Sequence, residues 1–121
     1  MKTLTSFYLL NATFLILHEI ESAYEKEWEI LKLPGKVTGF LLMHIPIVLI
    51  LLYGLLEIEK QTRAGFAIGI LTGIGGLIPF LVHKIVVRRK GHFHHWISDF
   101  ILYANVITGV VVAMLSVRSI A

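Results

Sequence analysis

The sequence contains no cysteine and few charged residues. Without cysteine there is no disulfide framework, no thiolate nucleophile and no Cys-based metal or haem-attachment motif. Charged side chains make up 16% of the 121 residues and hydrophobic ones 56%, against averages of about 25% and about 45–50% in soluble proteins. Too little polar surface remains to cover a domain of this size, so the composition excludes a soluble globular domain and a disordered chain.

Long apolar segments account for this composition. A membrane-spanning helix takes about 20 residues, so the length allows about four or five spans and no further soluble domain. We predict one domain over residues 1–121, with spans at about 3–20, 37–56, 64–87 and 96–117. Apolar spans joined by short loops are typical of compact bundles. The predicted fold class is an all-α, integral membrane, antiparallel four-helix bundle.

The first apolar segment also has the beginning of a secretory signal, because Lys2 precedes an apolar stretch. No small-x-small cleavage site follows Leu17, so we interpret the segment as a span. The charged stretch 22–32 carries Tyr24 and Trp28 and is predicted to be an interfacial helical extension after this span. Leu33-Pro34-Gly35 then ends it, since proline and glycine interrupt helices.

The distribution of lysine and arginine predicts the orientation. Seven of these residues fall in the loops after spans one and three, and four fall on the other side. The positive-inside rule then places both termini outside and the two longer loops in the cytoplasm. The net charge of +3 is therefore interpreted as an orientation signal, and the lipid bilayer rather than nucleic acid is the predicted partner.

Glycine recurs at every fourth residue of the third span, at Gly65, Gly69 and Gly73. This spacing lets a second helix approach closely, where van der Waals packing is the main attraction in lipid. The stripe is either the seam of a homo-oligomer or a site of close packing within one protomer. Gly75, Gly76 and Pro79 predict a bend halfway along the same span.

All six histidines fall in the same half of the predicted bundle: His18, His44, His83, His92, His94 and His95. On the first span, His18, Glu21 and Glu25 have the spacing i, i+3, i+7 and share a helix face. The fourth span repeats this spacing with His92, His95 and Asp99. Pairs of a histidine and a carboxylate on facing helices build metal sites inside bundles.

The sequence therefore predicts a metal site near the cytoplasmic interface. Imidazole and carboxylate without thiolate suit a divalent transition metal, with zinc or iron favoured and one or two ions bound. The argument is strongest for ionisable groups inside spans, because these are expensive in lipid unless they face the bundle interior. The predicted ligands are His18, Glu21, His44, His92, His95 and Asp99.

Other roles for some of these residues stay open. His94 fits an aromatic and basic belt at the headgroups, and His44 is alternatively a donor to a carbonyl freed by Pro46. Glu19, Glu27 and Glu29 are expected on a solvated face. Polar residues within the spans, including Asn11 and Asn105, are expected to form hydrogen bonds between helices.

Four short segments carry a resemblance to known proteins: His18-Glu19-Ile20-Glu21, Ala23-Tyr24, Glu27-Trp28-Glu29 and Leu33-Pro34-Gly35. They resemble uncharacterised small bacterial four-helix membrane proteins, in particular families named for an H-x-x-E-E motif, over residues 18–45. Ser22 stands where the second glutamate of the motif is expected. The resemblance implies metal binding and no particular reaction.

The stretch Gly91-His92-Phe93-His94-His95 is similar to the His boxes of membrane di-iron hydroxylases and desaturases. Those enzymes carry more histidines, so here carboxylates would have to complete the site. The likeness is one of local motif alone, which does not establish a function.

Three functions compete at this stage. The first is a metal-dependent enzyme acting on a lipid-like substrate, with Glu25 and His83 as the catalytic candidates for a base. The second is a non-catalytic accessory or structural membrane protein. The third is a haem module in which His44 and His83 are the axial ligands. The sequence leaves open whether the protein is an enzyme.

Overall fold

The structure, a computed structural model, describes residues 2–82, 84–85 and 96–121. Within those ranges the chain is helical and contains no strand. The helices described there are α1 (Lys2–Tyr24), α2 (Glu27–Ile30), α3 (Lys36–Glu59), α4 (Arg63–Gly75), α5 (Leu77–Val82) and α6 (Trp96–Ile120). The predicted all-α class is therefore confirmed for the described part of the chain.

Three helical stretches among the described residues are long and apolar enough to cross a membrane. They are α3, α6, and α4 together with α5 as Arg63–Val82. They overlap the predicted second, third and fourth spans, although positions 86–87 lie outside the described residues. Helix α1 has 23 residues but lacks the same apolar content, because it includes Asn11, His18 and Glu19. The predicted first span, in α1, and membrane insertion stay predictions.

The segment between α1 and α3 turns twice around the short helix α2. Lys26 precedes α2 with a φ of 52°, and Gly35 precedes α3 with a φ of 90°. A side chain at Gly35 would be strained by this φ and would overlap the backbone of Gly39. Trp28 and Ile30 of α2 are buried. The predicted helical extension is thus partly a separate helix of four residues that packs against α1 and α3.

Thr62 fixes the turn between α3 and α4. Its hydroxyl oxygen accepts a hydrogen bond from the backbone N–H of Gly65 at 3.0 Å and donates to the Glu57 carboxylate at 2.8 Å. The hydroxyl satisfies one of the unpaired N–H groups at the start of α4. Because the turn is this short, α4 reverses direction and packs along α3.

Four helices contribute to one apolar core. Helix α6 packs against α1 and α4, and α3 packs against α4 and α1. The core residues are Leu4, Tyr8, Ile58, Phe66 and Val112. Since Leu4 and Tyr8 lie near the beginning of α1, this core lies towards one end of the packed helices, away from His18, Glu19 and His44.

The glycines of α4 pack inside this chain. A Cβ atom at Gly65 would overlap the backbone of Glu57, one at Gly69 would overlap Ser116, and one at Gly73 would overlap the backbone of Gly109. The predicted oligomer seam is therefore covered by the chain's own α3 and α6. Close packing within the protomer accounts for the stripe, and the predicted homo-oligomer stays a prediction.

The third predicted span is interrupted at Gly76, between the end of α4 and the start of α5. Pro79 lacks an N–H group and cannot bond to the carbonyl of Gly75, four residues earlier. The N–H of Gly76 also departs from the α-helical pattern, because it bonds to a carbonyl only three residues earlier, that of Gly73, at 3.3 Å. The helix is thus interrupted where Gly75, Gly76 and Pro79 predict a bend, and the bend itself stays a prediction.

Candidate His–carboxylate centre and groove

His44 on α3 contacts Glu19 on α1 through its ring atom Nε2. The other ring nitrogen, Nδ1, lies 2.6 Å from the carbonyl oxygen of Phe40. A carbonyl oxygen only accepts hydrogen bonds, so Nδ1 carries a proton. A contact between Nε2 and a carboxylate oxygen then requires one further proton, held by His44 or by Glu19. The pair is a hydrogen-bonded acid and base joining two helices.

Glu19 also approaches a second histidine. Its Oε1 atom lies 3.9 Å from Nε2 of His18, which is 2% exposed. Nε2 of His18 lies 3.4 Å from the hydroxyl oxygen of Ser22, one turn further along α1. The Glu19 side chain is 33% exposed. It therefore lies between two histidines with one side open, and we call His18, Glu19 and His44 the His–carboxylate centre.

Two aromatic rings hold the His44 ring in place. Phe40 stacks on His44 with the ring centroids 4.1 Å apart and an interplanar angle of 30°. Trp28 on α2 packs against Phe40 with the centroids 5.3 Å apart. Both Trp28 and Phe40 are buried. The carbonyl bond and the stack together restrict the rotation of the imidazole, so that Nε2 faces Glu19.

Two of the predicted metal ligands have partners elsewhere. The hydroxyl of Ser98 on α6 donates a hydrogen bond to the carboxylate of Glu21. Asp99 pairs with Lys84 at 3.6 Å. The Lys84 ammonium group also lies 4.9 Å from the centroid of the Tyr103 ring. Glu21 and Asp99 thus attach α6 to its neighbours, away from the contact between Glu19 and His44.

The structure brings together only part of the predicted metal site. His18 and His44 meet at Glu19, whereas no group of three His, Asp or Glu side chains within residues 2–82, 84–85 and 96–121 is arranged to hold a metal ion. The predicted ligands His92 and His95 lie outside the described residues. So do His94 and the catalytic candidate His83, which was also the proposed haem partner of His44.

The expected solvated position of Glu19 is wrong. Glu19 contacts both histidines instead of lying on a purely solvated face. The signal that would have found it is the apolar surroundings of Glu19 on α1, where Leu15, Ile16 and Ile20 lie on the same side. The alternative for His44 is also corrected, because Nδ1 donates to the carbonyl of Phe40 and not to the one that Pro46 frees.

Glu25, the other catalytic candidate, comes directly after α1. Its backbone N–H bonds to the carbonyl of Glu21 at 2.9 Å and so continues the helical pattern by one residue. His18, Glu21 and Glu25 therefore follow one another along a continuous helical backbone, as predicted. The carboxylate that contacts His44, however, is that of Glu19.

An apolar groove of about 570 Å³ includes Glu19 and His44 of the His–carboxylate centre in its lining. It lies between α1 and α3, and α4 and α5 form its floor. Glu19 and His44 are its only ionisable lining residues in the described part of the chain. Leu51 and Thr72 deep in the groove are buried, while Ile20, Leu41 and Ile78 on its rim are exposed. The groove is thus open along one side.

Gly75 lies in the floor of this groove. A Cβ atom built at Gly75 has no neighbouring atom within 4 Å, in contrast to Gly73, where it would overlap α6. The interruption of the third predicted span thus leaves open space next to Gly75. A larger side chain at this position would enter the groove without displacing a helix.

The comparisons with known proteins give a family without an activity. A family model matches residues 4–119, and its description is a family of unknown function (DUF6713). No curated protein and no solved structure shows a significant match to the chain. The prediction of an uncharacterised family is confirmed, while the assignment to families with an H-x-x-E-E motif stays a prediction.

Proposed function

We propose that this chain, which belongs to the family of unknown function DUF6713, is an integral membrane protein with four spans. It binds a lipid-like molecule. The molecule's apolar part occupies the groove, and its polar end contacts the His–carboxylate centre. The observation that carries this proposal is the contact between Glu19 and His44 in the lining of an otherwise apolar groove.

The exposed sides of the helices support the membrane setting. Much of the surface of α3 is apolar, including exposed Leu42, Leu49 and Leu52. Helix α1, which we propose as the first of the four spans, packs along α6 and hydrogen-bonds to it through Asn11 and Thr108. In lipid, ionisable groups within a span mark functional sites, because they are expensive there without a partner. Glu19 and His44 meet this condition.

The Glu19–His44 pair has a definite chemical capacity. It holds one proton between an imidazole nitrogen and a carboxylate oxygen, and both residues line the groove. A positioned pair of this kind can accept a proton from, or return one to, a polar group bound beside it, as in general acid–base catalysis. We therefore assign Glu19 and His44 the role of binding and proton exchange at the polar end of the ligand.

Blocking the groove tests the proposal. We expect the purified protein to retain a lipid in native mass spectrometry, and Gly75→Leu to lose it, because the leucine side chain would fill the space that Gly75 leaves. Ala67→Leu is the matched control, since Ala67 is an exposed α4 residue that does not line the groove. Equal lipid retention by both variants and the wild type would contradict the proposal.

A divalent transition metal at the His–carboxylate centre is a second candidate function. The observation that favours it is the hydrogen bond from Nδ1 of His44 to a backbone carbonyl, since metal-binding histidines commonly anchor one ring nitrogen in this way and present the other. Glu19 lies between Nε2 of His44 and of His18. A complete site requires a further ligand, for which His92 and His95 remain the predicted residues.

Elemental analysis of purified protein tests the metal. We expect zinc or iron in stoichiometric amount and its loss in Glu19→Gln and His44→Ala. Glu29→Gln is the matched control, because Glu29 is an exposed residue of α2. Absence of a stoichiometric metal from the wild type, or equal metal content in all four proteins, excludes this candidate without affecting the lipid proposal.

A further inference from the structure

We infer that the groove selects a single-chain amphiphile with a hydroxyl head, such as a long-chain alcohol, over one with a carboxylate or phosphate head. This inference rests on the proposed lipid-binding function and specifies its ligand class. The preference for a hydroxyl head follows from the charges at Glu19 and His44. The preference for a single chain follows from the shape of the apolar part of the groove.

The shape of the groove fits one chain. On α3 the lining beyond His44 extends to Leu51, which corresponds to about 10 Å along a helix at about 1.5 Å per residue. The volume of about 570 Å³ is in the range of about 300–1,000 Å³ found for sites that hold one small ligand. The exposed rim residue Ile78 borders the open side, so a chain enters laterally from the bilayer.

The charges at Glu19 and His44, the ionisable residues of the groove lining, disfavour an anionic ligand. Among the described residues that line the groove there is no Lys or Arg, and Glu19 supplies a carboxylate. An anionic head placed beside Glu19 would bring a second negative charge into an apolar setting, where unpaired charges are costly. With one shared proton the Glu19–His44 pair has no net positive charge, so it cannot neutralise the charge of a second carboxylate.

A hydroxyl group matches the same atoms without adding charge. It carries one donor and can accept hydrogen bonds through its lone pairs. Its O–H group can donate to the Glu19 carboxylate, which accepts more than one hydrogen bond and keeps its contact with Nε2 of His44. Since Phe40 fixes the His44 ring, both members of the pair are oriented before the ligand arrives, which lowers the entropic cost of binding.

Two photoreactive probes of equal chain length test the selection. Diazirine-bearing hexadecanol and diazirine-bearing hexadecanoic acid are each added to the protein in nanodiscs of zwitterionic lipid at roughly pH 9, where the acid is ionised. Labelling is mapped by peptide mass spectrometry. We expect the alcohol to label groove residues about tenfold more than the acid, equivalent to about 1.4 kcal/mol of binding free energy.

Glu19→Gln identifies the cause of the selection. The neutral amide removes the negative charge, so labelling by the acid should rise towards that by the alcohol. Glu29→Gln should keep the wild-type preference, and helix content measured by circular dichroism checks the fold of each variant. Equal labelling by both probes in the wild type, or an unchanged preference in folded Glu19→Gln, would overturn the inference.

Gly75→Leu separates this inference from the proposed function. If both probes label the groove equally and Gly75→Leu abolishes the labelling, lipid binding holds and the selection for a hydroxyl head is wrong. If neither probe labels the groove in a way that depends on Gly75, both the inference and the proposed lipid-binding function fail. Alcohol labelling that depends on Gly75 and a preference that depends on Glu19 support both.

Discussion

The carboxylate of Glu19 meets Nε2 of His44, 25 positions away in sequence, and so connects α1 to α3. The ring of His44 is anchored at its other nitrogen by the carbonyl of Phe40, which leaves Nε2 directed at Glu19. Because Glu19 also approaches His18, one carboxylate organises both described histidines. The same contact therefore contributes both to the packing of α1 on α3 and to the chemistry of the His–carboxylate centre.

The contact between Glu19 and His44 should be measurable as a coupling energy. In a double-mutant cycle of Glu19→Ala and His44→Ala we expect a coupling of about 1–2 kcal/mol, because hydrogen bonds that involve a charged group contribute about 1.5–3 kcal/mol and the Glu19 side chain is partly exposed. The free energy of unfolding is measured in mixed micelles by denaturant titration.

The matched cycle pairs Glu29→Ala with His44→Ala. Glu29 is exposed on α2, so its substitution should be additive with that of His44. A coupling near zero in the first cycle, or an equal coupling in both, would show that the contact between Glu19 and His44 does not contribute to stability.

Two glycines of α4 should respond in opposite directions to alanine. Gly73→Ala forces a methyl group against the backbone of Gly109, and overpacking of this kind typically costs about 1–3 kcal/mol. Gly75→Ala meets open space and should stabilise the protein by up to about 1 kcal/mol, because alanine favours the helical conformation more than glycine. Thermal unfolding in detergent compares the variants. Equal midpoints for the two would contradict the packing described.

Helical structure and the interruption of the third predicted span were predictable from sequence, because local chemistry determines them. Pro79 lacks the N–H group that a continuous helix needs, whatever surrounds it. The partner of the glycine stripe was not predictable, since Gly69 and Gly73 have the same spacing whether a second copy or α6 covers them. The structure shows that Ser116 and Gly109 lie there.

The candidate site was only partly predictable for a related reason. The spacing of His18 and Glu21 correctly places both on the last turns of α1, but spacing does not show how α1 is rotated relative to α3. That rotation brings Glu19 to His44 and leaves Glu21 to Ser98. A carboxylate assigned to a solvated face thus became the centre of the site through tertiary packing.

Trp28 should contribute to stability far more than the other tryptophan. Trp28 is 8% exposed and packs on Phe40, whereas Trp96 is 77% exposed. Trp28→Ala removes a large buried side chain, for which losses of about 3–5 kcal/mol are typical. Trp96→Ala in detergent should change the free energy of unfolding by about 0.5 kcal/mol or less.

Proton NMR of the His44 ring gives the second measurement on these variants. Trp28→Ala removes support from Phe40, so the hydrogen-bonded Nδ1 proton of His44 should exchange faster with water. Unchanged exchange together with a large loss of stability would mean that Trp28 stabilises α2 without positioning His44.

Asn11 should couple three helices in the middle of the packed chain. Its side-chain amide donates to the carbonyl of Thr72 at 3.4 Å and accepts from the hydroxyl of Thr108 at 3.1 Å. Hydrogen bonds between membrane helices contribute about 0.6 kcal/mol on average and up to about 1.7 kcal/mol. Asn11→Ala should therefore lower the free energy of unfolding by about 1–2 kcal/mol, and combination with Thr108→Val should be less than additive.

Thr13→Val is the matched control, because Thr13 is exposed and its hydroxyl bonds within α1 to Leu9 at 2.7 Å. Full additivity of Asn11→Ala and Thr108→Val would show that the two side chains act independently.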